Sequence, residues 1–367
     1  MASYFASESG TVNGGSGTDI DPWGPQTGPT LNCMERALDG LITQNPTDGD
    51  ILNLSDASTI TLTKNFDTST YGVPTQTARL TIRGYTTSEG DGGKATIDGA
   101  ATYGMVNTAV DYVDLIDLTI QNSGSAKSID MDNFCNVIRC TCDNRVDLDA
   151  ACTVFGCDIT ATGSTIALLI ENRCVVAYNW LSAGTAEAIY SNNVDTVIYR
   201  NIVNMSGAGV AIRLTQRDNS VDHNSILGTS NAGTGILFVT TNRLAHQITN
   251  NLIEGVATGI NFASPIDNLV LYAGNAFRDN TTDESGKQNV IIDEDNELAL
   301  GSALYAKSGA NTFANRATYF APADVGNLRA GAWGGLGLDK GAVQSVAAGG
   351  GGTTGRQGLH SIESGAV

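Results

Sequence analysis

Acidic residues with chemistry-bearing spacing concentrate in one short stretch of the chain. Asp130-Met131-Asp132 alternates acid and apolar residues, and in an extended strand both carboxylates then share one face. Asp143, Asp147 and Asp149 follow within one further turn of sequence. Grouped carboxylate oxygens suit a hard cation, which makes Asp130 with Asp132, or Asp143, Asp147 and Asp149, candidate Ca²⁺ ligands. A polysaccharide lyase uses such a cation to neutralise a uronate carboxylate, and a base to remove the adjacent proton. Lys127, Arg213 and Arg217 are the candidate bases. A glycoside hydrolase would instead need an acid and a base carboxylate facing one bond. The bland reading of the same acids is a solvated sheet face, because exposed carboxylates need no partner.

Cysteine offers less. Six of the seven, Cys135, Cys140, Cys142, Cys152, Cys157 and Cys174, crowd one region, yet no CxxC pair occurs and the tetrahedral zinc pattern fails. Reduced thiols in a packed interior are expected. His223, His246 and His360 sit in Asp-His-Asn, Ala-His-Gln and Leu-His-Ser contexts, which read as rung, corner and tail positions.

The elements that position these groups come from an internal repeat. Asn179, Asn201, Asn224 and Asn251 end similar segments and stand 22, 23 and 27 residues apart. A second motif follows each one, with Ile189, Ile212, Ile236 and Ile260 keeping a similar step. Such a period holds two or three short strands and corners but no crossover helix. Stacking each strand on its copy one turn later predicts an all-β, right-handed, single-stranded parallel β-helix of about eleven rungs, about 50 Å long.

In this register the Asn residues form a corner ladder with left-handed backbone, Cys140 and Cys157 form a packing column, and Thr141 and Asp158 lie in the Asn column. Tyr190, Arg213, Leu237 and Asn261 take equivalent outward positions on four successive rungs, a candidate carbohydrate- or partner-binding strip. Leu31, Met34, Leu38 and Leu41 share a helical face behind Thr30 as N-cap, and this short amphipathic helix is expected to cap the first coil.

The division that follows is an N-terminal cap over 1–48, rungs over 49–298, irregular C-terminal rungs over 299–346 and an extended Gly-rich tail over 347–367. Arg356, Leu359 and Ile362 make the tail a candidate assembly arm. The net charge of −18 repels polyanions, so nucleic acid is not an expected partner. No apolar run is long enough to span a bilayer, and the opening lacks a basic and apolar leader, which predicts synthesis in a cytoplasm without a signal peptide and a place in a virion or other extracellular assembly.

Tyr4-Phe5-Ala6-Ser7-Glu8-Ser9-Gly10, Asp21-Pro22-Trp23, Gly49-Asp50-Ile51-Leu52-Asn53-Leu54 and Leu338-Asp339-Lys340-Gly341-Ala342-Val343-Gln344 resemble segments of the pectate-lyase-like β-helix superfamily, including phage-borne members. The resemblance covers roughly 4–344 and implies the fold. The superfamily's lyase-like Trp-x-Asp-His and Arg-x-Pro-x-x-Arg patterns are absent, as is the polygalacturonase-like set, and Asp222-His223 is only a fragment of the first. The sequence therefore favours a structural or receptor-facing assembly protein, a phage-type virion component that self-associates or joins other assembly proteins, with no cofactor. The alternative is a Ca²⁺-dependent, lyase-like enzyme of uronate polysaccharide.

Overall fold

One seven-residue module generates the rod. In Asp195-Thr196-Val197-Ile198-Tyr199-Arg200-Asn201 the second, fourth and seventh residues are buried and the third and fifth face outward. The first and sixth are left-handed, with φ of 59° and 53°. Arg173 to Asn179 and Asp218 to Asn224 repeat this assignment, with φ of 57° and 60° in one and 58° and 54° in the other. Two left-handed corners bend the chain at both ends of a three-residue strand, so a short sequence turns sharply without a loop. The sixth column also contains Gly156 and Gly274, where positive φ meets no Cβ.

The computed structural model describes residues 3 to 294, apart from short stretches at 11, 13–14, 19–21, 28–29, 44–48, 67–73, 108–109, 125–126, 240–245, 264–269 and 287–291. The divisions 299–346 and 347–367, with Arg356, Leu359, His360 and Ile362, lie outside the described residues. Repeating the module stacks three parallel sheets into the expected right-handed β-helix. Among the described residues sheet I has twelve strands, from Ser3–Ala6 to Ile292–Glu294. Sheet II has ten, from Ile60–Thr61 to Ala276–Arg278, and sheet III nine, from Met105–Asn107 to Thr282–Ser285. Inward Ile, Leu and Val columns such as Ile189, Ile212, Ile236 and Ile260 fill the bore. Each such side chain contributes about 1.5–3 kcal/mol by leaving water. No described helix is long and apolar enough to cross a membrane.

The Asn ladder exists, but its conformation differs from the expectation. The left-handed residues are those before each Asn, namely Tyr178, Arg200, His223 and Asn250. That corner turns the next side chain inward, where Asn179, Asn201, Asn224, Asn251 and also Asn275 pass Nδ2–H to Oδ1 along the rod at 2.9–3.0 Å. Each Nδ2 donates its other hydrogen to a carbonyl one rung back, as Asn201 does to Val176 at 2.9 Å. Cys140 and Cys157 belong to this same column, since Cys157 N–H donates to Asn179 Oδ1 and its thiol to the Val137 carbonyl. Thr141 and Asp158 lie one position further on, in register with Trp180, because the corner consumes one residue more than the sequence alignment allows. Cys135, Cys152 and Cys174 head a second inner column that continues through Thr196, Asn219 and His246. Burial drives the His246 imidazole down to about 4, and its Nδ1 accepts from Asn219 N–H.

The capping helix is Cys33–Thr43, and its N-cap is Asn32 rather than Thr30. Asn32 Oδ1 accepts from Glu35 N–H at 2.8 Å while Glu35 Oε2 accepts from Asn32 N–H at 3.2 Å, a reciprocal capping box. Thr30–Leu31 instead pairs antiparallel with Gln26–Thr27. Met34 and Leu38 are buried against the first coil. Asn32→Ala is expected to lower stability by about 1 kcal/mol, read as a reduced midpoint in chemical unfolding.

Candidate functional site: the outer face of sheet III

On sheet III one residue of each strand, flanked by two inward ones, turns away from the bore, and parallel pairing stacks these into columns. One column reads Asp130, Asp147, Leu169, Tyr190, Arg213, Leu237, Asn261 and Ser285 without a break. The acidic pairs and the Tyr190 strip, separate in the sequence, are thus two ends of one surface. A neighbouring column carries Asp132, Asp149 and Glu171, each two residues on from the first.

At the acidic end Lys127 Nζ lies 2.9 Å from Asp130 Oδ2 and 2.6 Å from Asp147 Oδ2. Arg145 Nε also donates to Asp147, which is 5% exposed. Burial would lower the Lys127 ammonium, but its bonds to Asp147 and Asp130 outweigh that and hold it above the usual lysine value. Asp132 Oδ1 accepts from Asn133 N–H and Nδ2–H at 2.9 and 2.7 Å. Asp149 has the opposite surroundings. Partial burial, then the charges of Glu171, Asp132 and Asp130, push its carboxyl up to about 6, with Lys127 pulling the other way. It is also exposed to solvent.

The remaining sequence candidates lie as follows. Asp143 sits at the corner between sheets II and III, where it accepts from Ser123 and Ser128 hydroxyls at 3.2 and 3.3 Å and from Asn122 N–H. Arg213 pairs with Glu187 at 2.7 Å and lies 5.1 Å over the Tyr190 ring. Asn261 Oδ1 accepts from the Ser285 hydroxyl at 3.0 Å. Arg217 is a corner residue 3.6 Å from Asp218. Glu171 escapes notice in the sequence because Leu169 replaces the first acid of the pair and breaks the visible alternation, and Arg145 is not among the sequence candidates. Register alone reveals Glu171.

The carboxylates do not fit a Ca²⁺ cage. Among the described residues no group of three or more His, Cys, Asp or Glu side chains could hold a metal ion, and Asp130 and Asp147 already face an ammonium. What the arrangement can do is hold and release a proton at Asp149 beside other carboxyls. A polar depression of about 420 Å³ lies on the edge between sheets II and III, where buried Glu254 already faces Arg278 at 3.5 Å.

A raised carboxyl pKa means that the folded state binds the proton more tightly than the unfolded chain. Its stabilising contribution is complete below the ordinary value of about 3.9 and is lost as pH rises through about 6. After screening by solvent this amounts to about 1 kcal/mol. Asp149→Asn is therefore expected to raise Tm by roughly 2 °C at pH 8 and to leave it unchanged at pH 4, by calorimetry.

No family model matches the chain, and no curated protein matches it in sequence. Among solved structures it is similar to two deglycosylated forms of the pectin methylesterase from Aspergillus niger. Identities are 13% and 12%, over 74% of this chain and 87% of that chain, with TM-scores of 0.39 and 0.36. It is also similar to the PL6 family alginate lyase AlyGC at 10% identity, over 72% of this chain and 52% of that chain, with a TM-score of 0.37. At these values the likeness says nothing about the chemistry of this chain.

Proposed function

We propose that this chain is a carbohydrate-active protein that cleaves a glycosidic bond on the acidic end of sheet III, with Asp149 as proton donor. One observation carries the reading: an exposed carboxyl that keeps its proton to about pH 6 stands in register with Asp132 and Glu171, on adjacent rungs. Glycoside hydrolysis needs one carboxyl that stays protonated and one that stays ionised. Asp132, fixed by its two bonds from Asn133, is positioned to act as the second carboxyl. Neighbouring rungs stand about 4.8 Å apart, close to the roughly 5–5.5 Å separation of carboxyls in retaining enzymes. Tyr190 and Arg213, further along the strip, offer a ring face and a donor to the next sugars. The reading displaces a purely structural virion role, which rests on no described feature of this face.

The substrate class follows from charge. Asp130, Asp132, Asp147, Asp149 and Glu171 outnumber Lys127 and Arg145, so an uncharged glycan suits the strip better than a polyuronate. Lys127 acts here as the protonated partner of Asp130 and Asp147. Removing a sugar proton would require it to give up its ammonium proton, against both ion pairs. The test is a panel of uncharged polysaccharides, with new reducing ends and the anomeric configuration of the product followed by NMR. Cleavage with retention is expected. Ultraviolet-absorbing unsaturated products from a polyuronate, or no cleavage of any glycan by folded protein, would overturn the reading.

A further inference from the structure

The outer face of sheet I carries a surface that sheet III does not. Its outward residues include Ile138, Phe155, Val175, Val197 and Tyr199, and three of the most exposed large apolar side chains lie on it or its edges: Phe134 at 42%, Tyr178 at 41% and Val197 at 40%. From Asn136–Ile138 to Ser220–Asp222 the corners on both edges are tight, so none of the described loops there overhangs this face. Apolar Ile138, Phe155, Val175, Val197 and Tyr199 share the strip with polar Asn136, Thr153, Ser220 and Asp222, a mixture that suits a protein surface.

The two edges carry complementary groups. On the edge after each strand, Arg200 is wedged against two rings, 4.9 Å from the Tyr199 centroid and 5.7 Å from that of Tyr178, and donates to the Tyr178 hydroxyl at 3.1 Å. Its Nε is buried without a partner, and no carboxylate pairs with it among the described residues. Most other cations among the described residues face an acid, as Arg79, Lys127, Arg139 and Arg213 do. On the opposite edge of the same rung Asp195 is exposed, with no side-chain partner among the described residues. One rung back, exposed Arg173 lies across from Tyr178.

We infer that sheet I is the interface of a homodimer in which two rods lie parallel, related by a two-fold axis along the rod direction. That axis keeps each rung level with its copy and exchanges the two edges. Arg200 then faces Asp195 of the second copy, Arg173 faces the ring of Tyr178, and Asp218 faces His223. Between them Val197 meets Tyr199 and Val175 meets Ala177, across sheets about 10 Å apart. Each contact occurs twice, as an isologous interface requires. The other two-fold, with antiparallel rods, sets Asp195 against Arg173 and leaves Arg200 without a carboxylate. Charge complementarity therefore selects the parallel dimer.

Sedimentation of the full chain over a concentration series tests this, with circular dichroism to verify folding of each variant. A dimer is expected. Arg200→Asp alone, or Asp195→Arg alone, should weaken it at least roughly tenfold by opposing like charges, and the double exchange should restore it. Asp195 is exposed, so the second variant tests the interface even if the first misfolds. A monomer at all concentrations, a dimer indifferent to both exchanges, or loss of the dimer only with Arg173→Asp would each overturn the parallel arrangement. So would a monomer that binds an acidic oligosaccharide through Arg200.

Discussion

Asn201→Leu is expected to destabilise the rod by about 3–5 kcal/mol, although the two side chains are similar in size. Asn201 Oδ1 accepts from both N–H and Nδ2–H of Asn179, at 3.0 and 2.9 Å, and its Nδ2 donates to the Val176 carbonyl and to Asn224 Oδ1. All of these lie in the fully buried bore. Leucine would leave a backbone donor, an amide donor and a carbonyl unpaired, each costing about 1–3 kcal/mol away from water. Asn201→Cys should be milder, because thiols already serve this column: Cys157 donates to Val137, and in the neighbouring column Cys152 Sγ accepts from Cys135 N–H. The measurement is guanidinium unfolding of both variants. A leucine cost below about 1 kcal/mol, or a cysteine no better than leucine, would show that the ladder is a passenger of aliphatic packing rather than a source of stability.

Asp149→Asn is expected to lower kcat on a cleaved glycan by roughly 10²–10⁴, the usual contribution of a positioned proton donor. The wild type should lose activity as pH rises through about 6, where Asp149 loses its proton. Neighbouring charges should move that limb in opposite directions. Glu171→Gln removes the negative charge that most raises Asp149, and shifts the limb to lower pH. Lys127→Met removes the opposing cation and shifts it to higher pH. A limb that stays in place in both variants would assign the proton to another group. Glu171 is half-buried with no ion pair among the described residues, so Glu171→Gln should leave the unfolding midpoint nearly intact.

The period, the in-and-out alternation and the Asn and Ile columns were legible in the sequence because they are signals along the chain. They were enough for a parallel β-helix, and for placing Tyr190, Arg213, Leu237 and Asn261 on one outward line. What lay between turns was not legible. From Asn136 onward turns vary from 17 to 27 residues between matching positions, and earlier ones are longer, so an alignment can slip by one residue at a corner. That slip put Thr141 and Asp158 into the Asn column and hid the fact that Cys140, Cys157 and the Asn residues share one line. It also hid Glu171 beside Asp149, and it gave no sign that Asp143 turns away to Ser123 and Ser128. Alternation is set by the geometry of one strand, so the residues themselves decide it. Register is set by hydrogen bonds between strands on successive turns, and only the wound chain brings those strands together.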